Sequence, residues 1–381
     1  MAARPVTSIS SSQAHWQSIS LWRQTYPRDP KAFSLSGGYA ANGTGRFEQV
    51  VELSAKSVEL EPDQLYGYIN GANALFHLGR FEEAEKAFAV AAAHHATGPE
   101  AVALRYLLAL WKQDKAGMEQ RMAESHGNHD SEMVLAQVQA LAAARDGRLS
   151  EAERDSRSAI EMALRAGLRE RAAVSEAAPA VWNALYENRD AARRTAEIAL
   201  RAFEGREVAY AAGFALGLSG EMAKAEAIAD KLDKEYPEDT HVQATYVPTL
   251  RALAALDKND PRKAMDLLEA NRHYEFGIPP LAFNHYYGNM YSIYVRGLAY
   301  LTMHKPEEAA VEFSRLLAHP GLAIGDPVDA AARRQLARAF ALTGDKPKAR
   351  SAYQNFLTIW KDADADTPIL MQAKAEYAGL Q

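Results

Sequence analysis

The sequence predicts an all-α fold, a right-handed α-solenoid of about nine helical hairpins closed by a C-terminal capping helix. Three observations predict it. Turn residues recur at Gly45, Gly79, Gln113 and Gly147, each 34 residues after the last, and a fixed period of this size means one supersecondary unit stacked on its copies. Prolines stand where helices must stop, at Tyr26-Pro27, Glu61-Pro62 and Tyr236-Pro237, because proline lacks the N–H and clashes with the preceding turn. Alanine is abundant; it favours helix and lets helices approach closely, but it gives little apolar area per residue.

Taken in order, residues 1–12 read as a flexible tail and residues 13–366 as the solenoid. Gln13–Tyr26, with Trp16, Ile19 and Trp22 at helical spacing, reads as the second helix of a unit whose first helix is absent, so the chain is expected to be a truncated array. The best single copy runs from Gln64 to His95. Within it Ala72 and Ala84 let two antiparallel helices touch, Phe88 fills the space beside them, and Gly79 takes the left-handed conformation that ends the first helix. Aligning each hairpin on its turn gives centres near Gly45, Gly79, Gln113, Gly147, Asn188, Gly220, Asn259, His304 and Gly344. Spacing lengthens after Gly147, where longer helices or irregular loops are expected; residues 271–290 form an aromatic-rich insertion. Thr367-Pro368 opens the capping helix of residues 367–381, with Thr as N-cap and Pro at the first helical position.

Tyr68, Gly71-Ala72, Leu75, Leu78-Gly79-Arg80-Phe81, Ala84, Phe88 and Ala91 resemble the tetratricopeptide (TPR) pattern. A narrower resemblance lies at Tyr294–Leu301, Ala309–Leu317, Leu336–Trp360 and Lys374–Leu380. It is similar to the TPR region that follows the kinase domain in bacterial eukaryotic-like Ser/Thr kinases, or a winged helix in some bacterial regulators. That resemblance implies a sensor or protein-docking module of a bacterial signalling protein. No Gly-rich nucleotide loop, His-Arg-Asp or Asp-Phe-Gly occurs, so phosphoryl transfer is not assigned to this chain.

Composition narrows the function. There are 43 Lys+Arg against 49 Asp+Glu, a formal net charge of −6, without the cationic excess that a phosphate backbone needs. Cysteine is absent, which excludes thiolate metal sites and Cys nucleophiles. His94-His95 and His126-Gly-Asn-His129-Asp130 lack a third ligand in a helical context, and a solvated loop is the preferred reading. No nucleophile elbow, His-Glu-x-x-His or Walker loop occurs. Enzyme chemistry, a cofactor, a metal, nucleic acid and membrane insertion are therefore not expected. With no apolar run of signal-peptide or spanning length, the expected compartment is the cytoplasm, or the periplasm if the chain belongs to a membrane-spanning protein.

The expected partner is a protein or peptide segment in the concave groove. In the family the first helix of each unit lines that face, and for the second unit the lining positions are Tyr66, Ile69, Asn73, Phe76 and His77. An amide, aromatics and an imidazole can hold an extended peptide by hydrogen bonds and stacking. The clamp that some relatives use for a terminal carboxylate needs Lys and Asn where this chain has Ile69, Leu104, Val134 and Val138, and is not expected. A second candidate surface is Tyr287, Tyr291 and Tyr294, although their helical spacing favours packing between units. Two rivals to a docking scaffold remain: a regulator that encloses a small molecule or peptide, and a non-catalytic subunit of an enzyme complex.

Overall fold

The computed structural model describes residues 12–269, 271–278 and 290–380. Of the expected tail, all but Ser12 lies outside them, as does most of the aromatic insertion. Among the described residues there is no strand. After α1 (Ser12–Thr25) come nine hairpins: α2 (Pro30–Thr44) with α3 (Phe47–Leu60), α4 (Leu65–His77) with α5 (Phe81–Ala93), and α6 (Pro99–Trp111) with α7 (Lys115–Ser125). The middle three are α8 (His129–Arg145) with α9 (Leu149–Arg165), α10 (Arg169–Leu185) with α11 (Arg189–Ala202), and α12 (Arg206–Leu218) with α13 (Met222–Glu235). The last three are α14 (Val247–Asp257) with α15 (Pro261–Glu269), α16 (Tyr291–Thr302) with α17 (Pro306–Leu317), and α19 (Val328–Leu342) with α20 (Lys346–Ile359). A short α18 (Pro320–Ala323) is inserted before α19, and α21 (Pro368–Ala378) ends the described chain. The chain is thus an all-α helical-repeat solenoid.

Each hairpin turns on one residue with positive φ: Gly45, Gly79, Gln113, Gly147, Glu187, Gly220, Asn259, His304 and Gly344. At the fifth turn the left-handed residue is Glu187, one place before the expected Asn188. Four of the nine are not glycine, and the same pair of backbone bonds holds them. At Gln113, for example, Gln113 N–H donates to Leu110 O at 3.0 Å and Asp114 N–H to Ala109 O at 2.9 Å, which closes the orphan carbonyls of the first helix. Within hairpins the small-residue contacts are dry: Ala72 and Ala84 are fully buried with Phe88 beside them.

Two features were not anticipated. The inserted α18 lengthens the last interval, and a π-helical turn, Val242–Tyr246, precedes α14. The larger consequence is that the solenoid closes on itself. One core runs from Leu141 on α8 to Ala373 on α21, while a smaller one around Phe76, Phe81, Phe88 and Leu104 serves hairpins two and three; α8 joins them, giving Val134 and Val138 to the smaller and Leu141 to the larger.

Candidate functional site

Ile69 sits ten residues before the left-handed Gly79, one of the expected groove positions. The corresponding residues of later hairpins, Ala103, Gln137, Ala177, Tyr210, Thr249 and Tyr294, are all buried. In the first two hairpins the pattern breaks. Leu35, one period before Ile69, is 49% exposed, and Tyr66 is 66% exposed, with Ile69 and Asn73 half-buried. The inner side is therefore open at one end and closed elsewhere by the chain itself.

The closure has a polar part and an apolar part. Hairpins four and five are locked to the C-terminal helices: Asp364 N–H donates to Gly147 O at 3.0 Å, Ser150 Oγ to Asp364 Oδ2 at 2.9 Å and Trp360 Nε1 to Arg145 O at 2.9 Å. Arg145 pairs with Asp329 at 3.1 Å, and Arg334 with Glu187 at 2.6 Å and Glu376 at 2.8 Å. Burial pushes the Asp329 carboxyl upward, but Arg145 and Arg333 outweigh it and hold it below the usual carboxylate range. Tyr186 Oη donates to Ala144 O at 2.8 Å and meets Trp360 edge to face.

The seam against the first three hairpins is different. Gly321, at the tip of α18, lies so close to Phe76 that an added Cβ would fall 2.0 Å from the Phe76 carbonyl oxygen. His77 Nδ1 hydrogen-bonds Gly321 O at 3.2 Å, and burial lowers its pKa to about 4, partly opposed by that bond. Ile278 inserts among Phe47, Val50 and Ala74. Among the described residues no ion pair crosses this seam.

The expected site residues thus divide. Tyr66, Ile69 and Asn73 line the open end. Phe76 and His77 belong to the seam and are buried under α18. Tyr291 is buried, stacked on Phe214 at 4.7 Å with its hydroxyl donating to Asp326 at 3.1 Å, and Tyr294 packs near Phe313. Tyr287 lies outside the described residues. His126 and His129 are exposed and both face Glu132. A surface depression of about 730 Å³ lies between α17 and the α19–α20 turn, walled by Val311 and Phe340.

At the open end Gln64 caps α4, its side chain accepting from Tyr66 N–H at 3.0 Å, and Asn70 Nδ2 ties α4 to α2 through Ser34 O at 3.1 Å. The second contact holds α4 against α2, the two helices that carry Ile69 and the exposed Leu35 and Tyr66. The Asn73 side-chain oxygen Oδ1 is buried and has no hydrogen-bond donor, an acceptor left unsatisfied next to the open end. Leu35 was missed in the sequence, although the 34-residue register points to it.

Hairpins of this period with small-residue contacts define an all-α helical-repeat array, whose repeat pattern is similar to that of tetratricopeptide proteins. No family model matches the chain. A 78-residue stretch is 35% identical to a protein described as STIP1 homolog from Dictyostelium discoideum; it covers 20% of this chain and 14% of that protein. Solved structures similar to it include yeast Tom70 (14% identity, 97% of this chain and 92% of that one, TM-score 0.38). Another is the P58(IPK) TPR domain (14% identity, 97% and 94%, TM-score 0.25). No helix among the described residues is long and apolar enough to cross a membrane.

Proposed function

We propose that this chain is a non-catalytic interaction scaffold that docks a polypeptide segment on the inner face of its first two hairpins, at Leu35, Tyr66, Ile69 and Asn73. The observation that carries this reading is the break in burial along the inner ladder: apolar side chains stay exposed only at that end among the positions compared. A leucine, an isoleucine and a tyrosine ring bind apolar side chains, and the Asn73 oxygen takes a backbone donor. The local match to a STIP1 homolog supports a docking role. The wider setting, a sensor or docking module of a bacterial signalling protein, rests on the C-terminal resemblance. The test is affinity capture with wild type and with a Leu35→Asp, Tyr66→Ala chain, with circular dichroism to verify folding. Loss of the same captured protein is expected, and undiminished capture would overturn the assignment.

One observation favours a second reading, a regulator holding a small polar ligand inside the closed array. Gln137 is 2% exposed and neither its amide oxygen nor its nitrogen has a hydrogen-bond partner, a state that costs about 1–3 kcal/mol unless something is bound there. Ligand-dependent protection of α8 in hydrogen exchange, lost in Gln137→Leu, distinguishes it from docking at the open end.

A further inference from the structure

Residues 271–278 connect two bodies with unequal grip. On the C-terminal side the segment is bolted in place. Glu275 is fully buried and ion-paired with Arg296, itself fully buried, and with Arg315. Arg296 also donates to Leu268 O at 3.0 Å and pairs with Glu312 at 3.3 Å. Asn271 Nδ2 donates to Thr245 Oγ1 at 2.7 Å, using a hydroxyl presented by the π-helical turn, and the Phe276 ring stacks on His319 at 3.9 Å beneath Arg315. Detaching the segment here would strand buried charges.

On the N-terminal side the segment's contacts include an aliphatic side chain in a pocket and a close backbone approach, with no ion pair among the described residues. Ile278 sits among Phe47, Val50 and Ala74. The Phe276 carbonyl passes so close to Gly45 that a Cβ there would meet its oxygen at 2.4 Å. Hairpins two and three share their core with Val134 and Val138 of α8, and Ile324 reaches into it from the C-terminal side. If the seam parts, the segment stays with the C-terminal body and the first hairpins leave with an empty aliphatic pocket.

We propose that this pocket at Phe47, Val50 and Ala74 is a second docking site, shut in cis by Ile278, and that a partner's segment with an aliphatic residue next to glycine replaces it. The occupant's chemistry is read from the segment now seated there. The seated stretch reads Phe276-Gly277-Ile278, with Phe276 against Gly45 and Ile278 in the pocket, so the ligand carries glycine just before its aliphatic residue, and the pocket takes one aliphatic side chain with no charge to pair. The proposal deepens the docking reading but uses the opposite end of α2 and α4 from Leu35 and Tyr66.

The probe is a fluorescent synthetic peptide with the sequence of residues 271–280, titrated by anisotropy into the full chain and into Ile278→Asp. The variant is expected to bind at least about ten-fold more tightly, the factor by which a mostly closed site weakens a competitor. A peptide with aspartate in place of its isoleucine should not bind. Equal affinity for both chains, binding of the control peptide, or no binding to a variant with wild-type circular dichroism would overturn the proposal. So would dimerisation of the wild-type chain through exchanged segments at the concentrations used. If Ile278→Asp loses helicity, Ile278→Ala takes its place in the same comparison. Leu35→Asp with Tyr66→Ala should leave peptide binding unchanged, so this test and the capture test fail separately.

Discussion

Trp360 donates its indole N–H to the backbone carbonyl of Arg145 at 2.9 Å, joining the ninth hairpin to the fourth. The ring is buried, stacked on Phe356 and edge-on to Tyr186. A repeat array needs no such contact, since each unit ordinarily rests only on its neighbours. This bond belongs to a second set of interactions that turns a row of hairpins into a closed body.

Trp360→Ala therefore removes more than a terminal side chain. A cavity of that size costs about 3–5 kcal/mol, and the Arg145 carbonyl loses its donor as well. Urea unfolding should show a midpoint far below wild type. A loss under about 1 kcal/mol, the scale of a surface substitution, would mean that the ring is not buried as described.

Gly321→Ala should part the apolar seam. Its Cβ would lie 2.0 Å from the Phe76 oxygen, a backbone atom that cannot yield as a side chain can. Small-angle scattering should report a larger radius with unchanged helicity. Gly38→Ala, which meets nothing within 4 Å, should change neither.

Arg296→Met leaves Glu275 buried without its fully buried partner, with the partly exposed Arg315 still in place. Removing one member of a buried ion pair costs about 3–5 kcal/mol, and here it should also loosen residues 271–278. Hydrogen exchange of Tyr274 and Gly277, whose amides donate to Asn271 O and Tyr274 O, should rise in the variant; wild-type protection would contradict the anchoring.

His77 gives the seam a pH dependence. Burial lowers its pKa to about 4 from 6.5, so the folded state favours the neutral ring. The unfolded chain binds the proton first as pH falls below about 6.5. Stability from this group is complete above that pH and is lost progressively down to about 4, by on the order of 3 kcal/mol. His241, whose pKa burial also lowers to about 4 with Asp239 opposing, acts in the same window. The isolating measurement is the difference between wild type and His77→Gln from pH 7 to pH 4. Parallel curves would show that His77 is solvated.

Much of the fold was legible because its signals are local. All nine turns fall within one residue of their expected places, since proline stops and 34-residue spacing need no distant contact to be read. The non-glycine turn at Gln113 follows from register alone, and those at Asn259 and His304 follow from aligning each hairpin on its turn at wider spacings. What was illegible lies in contacts between different repeats, which no local pattern encodes. Nothing in Phe76-His77 announces that Pro320-Gly321 will cover them, and nothing in Glu275 announces Arg296. The family pattern offers Tyr66, Ile69 and Asn73 as inner-face positions, but no repeat pattern says whether that interior is open. The exposure of Leu35 beside the burial of Tyr210 and Thr249 depends on how far the array curls.

Closure is tested most directly where Ser150 Oγ meets Asp364 Oδ2 at 2.9 Å. The chain has no cysteine, so Ser150→Cys with Asp364→Cys introduces one unique pair. A short bis-maleimide should join hairpin four to the C-terminal helices within single chains, leaving both proteolytic halves linked on a denaturing gel. Two cysteines that each react with a monofunctional maleimide yet never cross-link would show an open array.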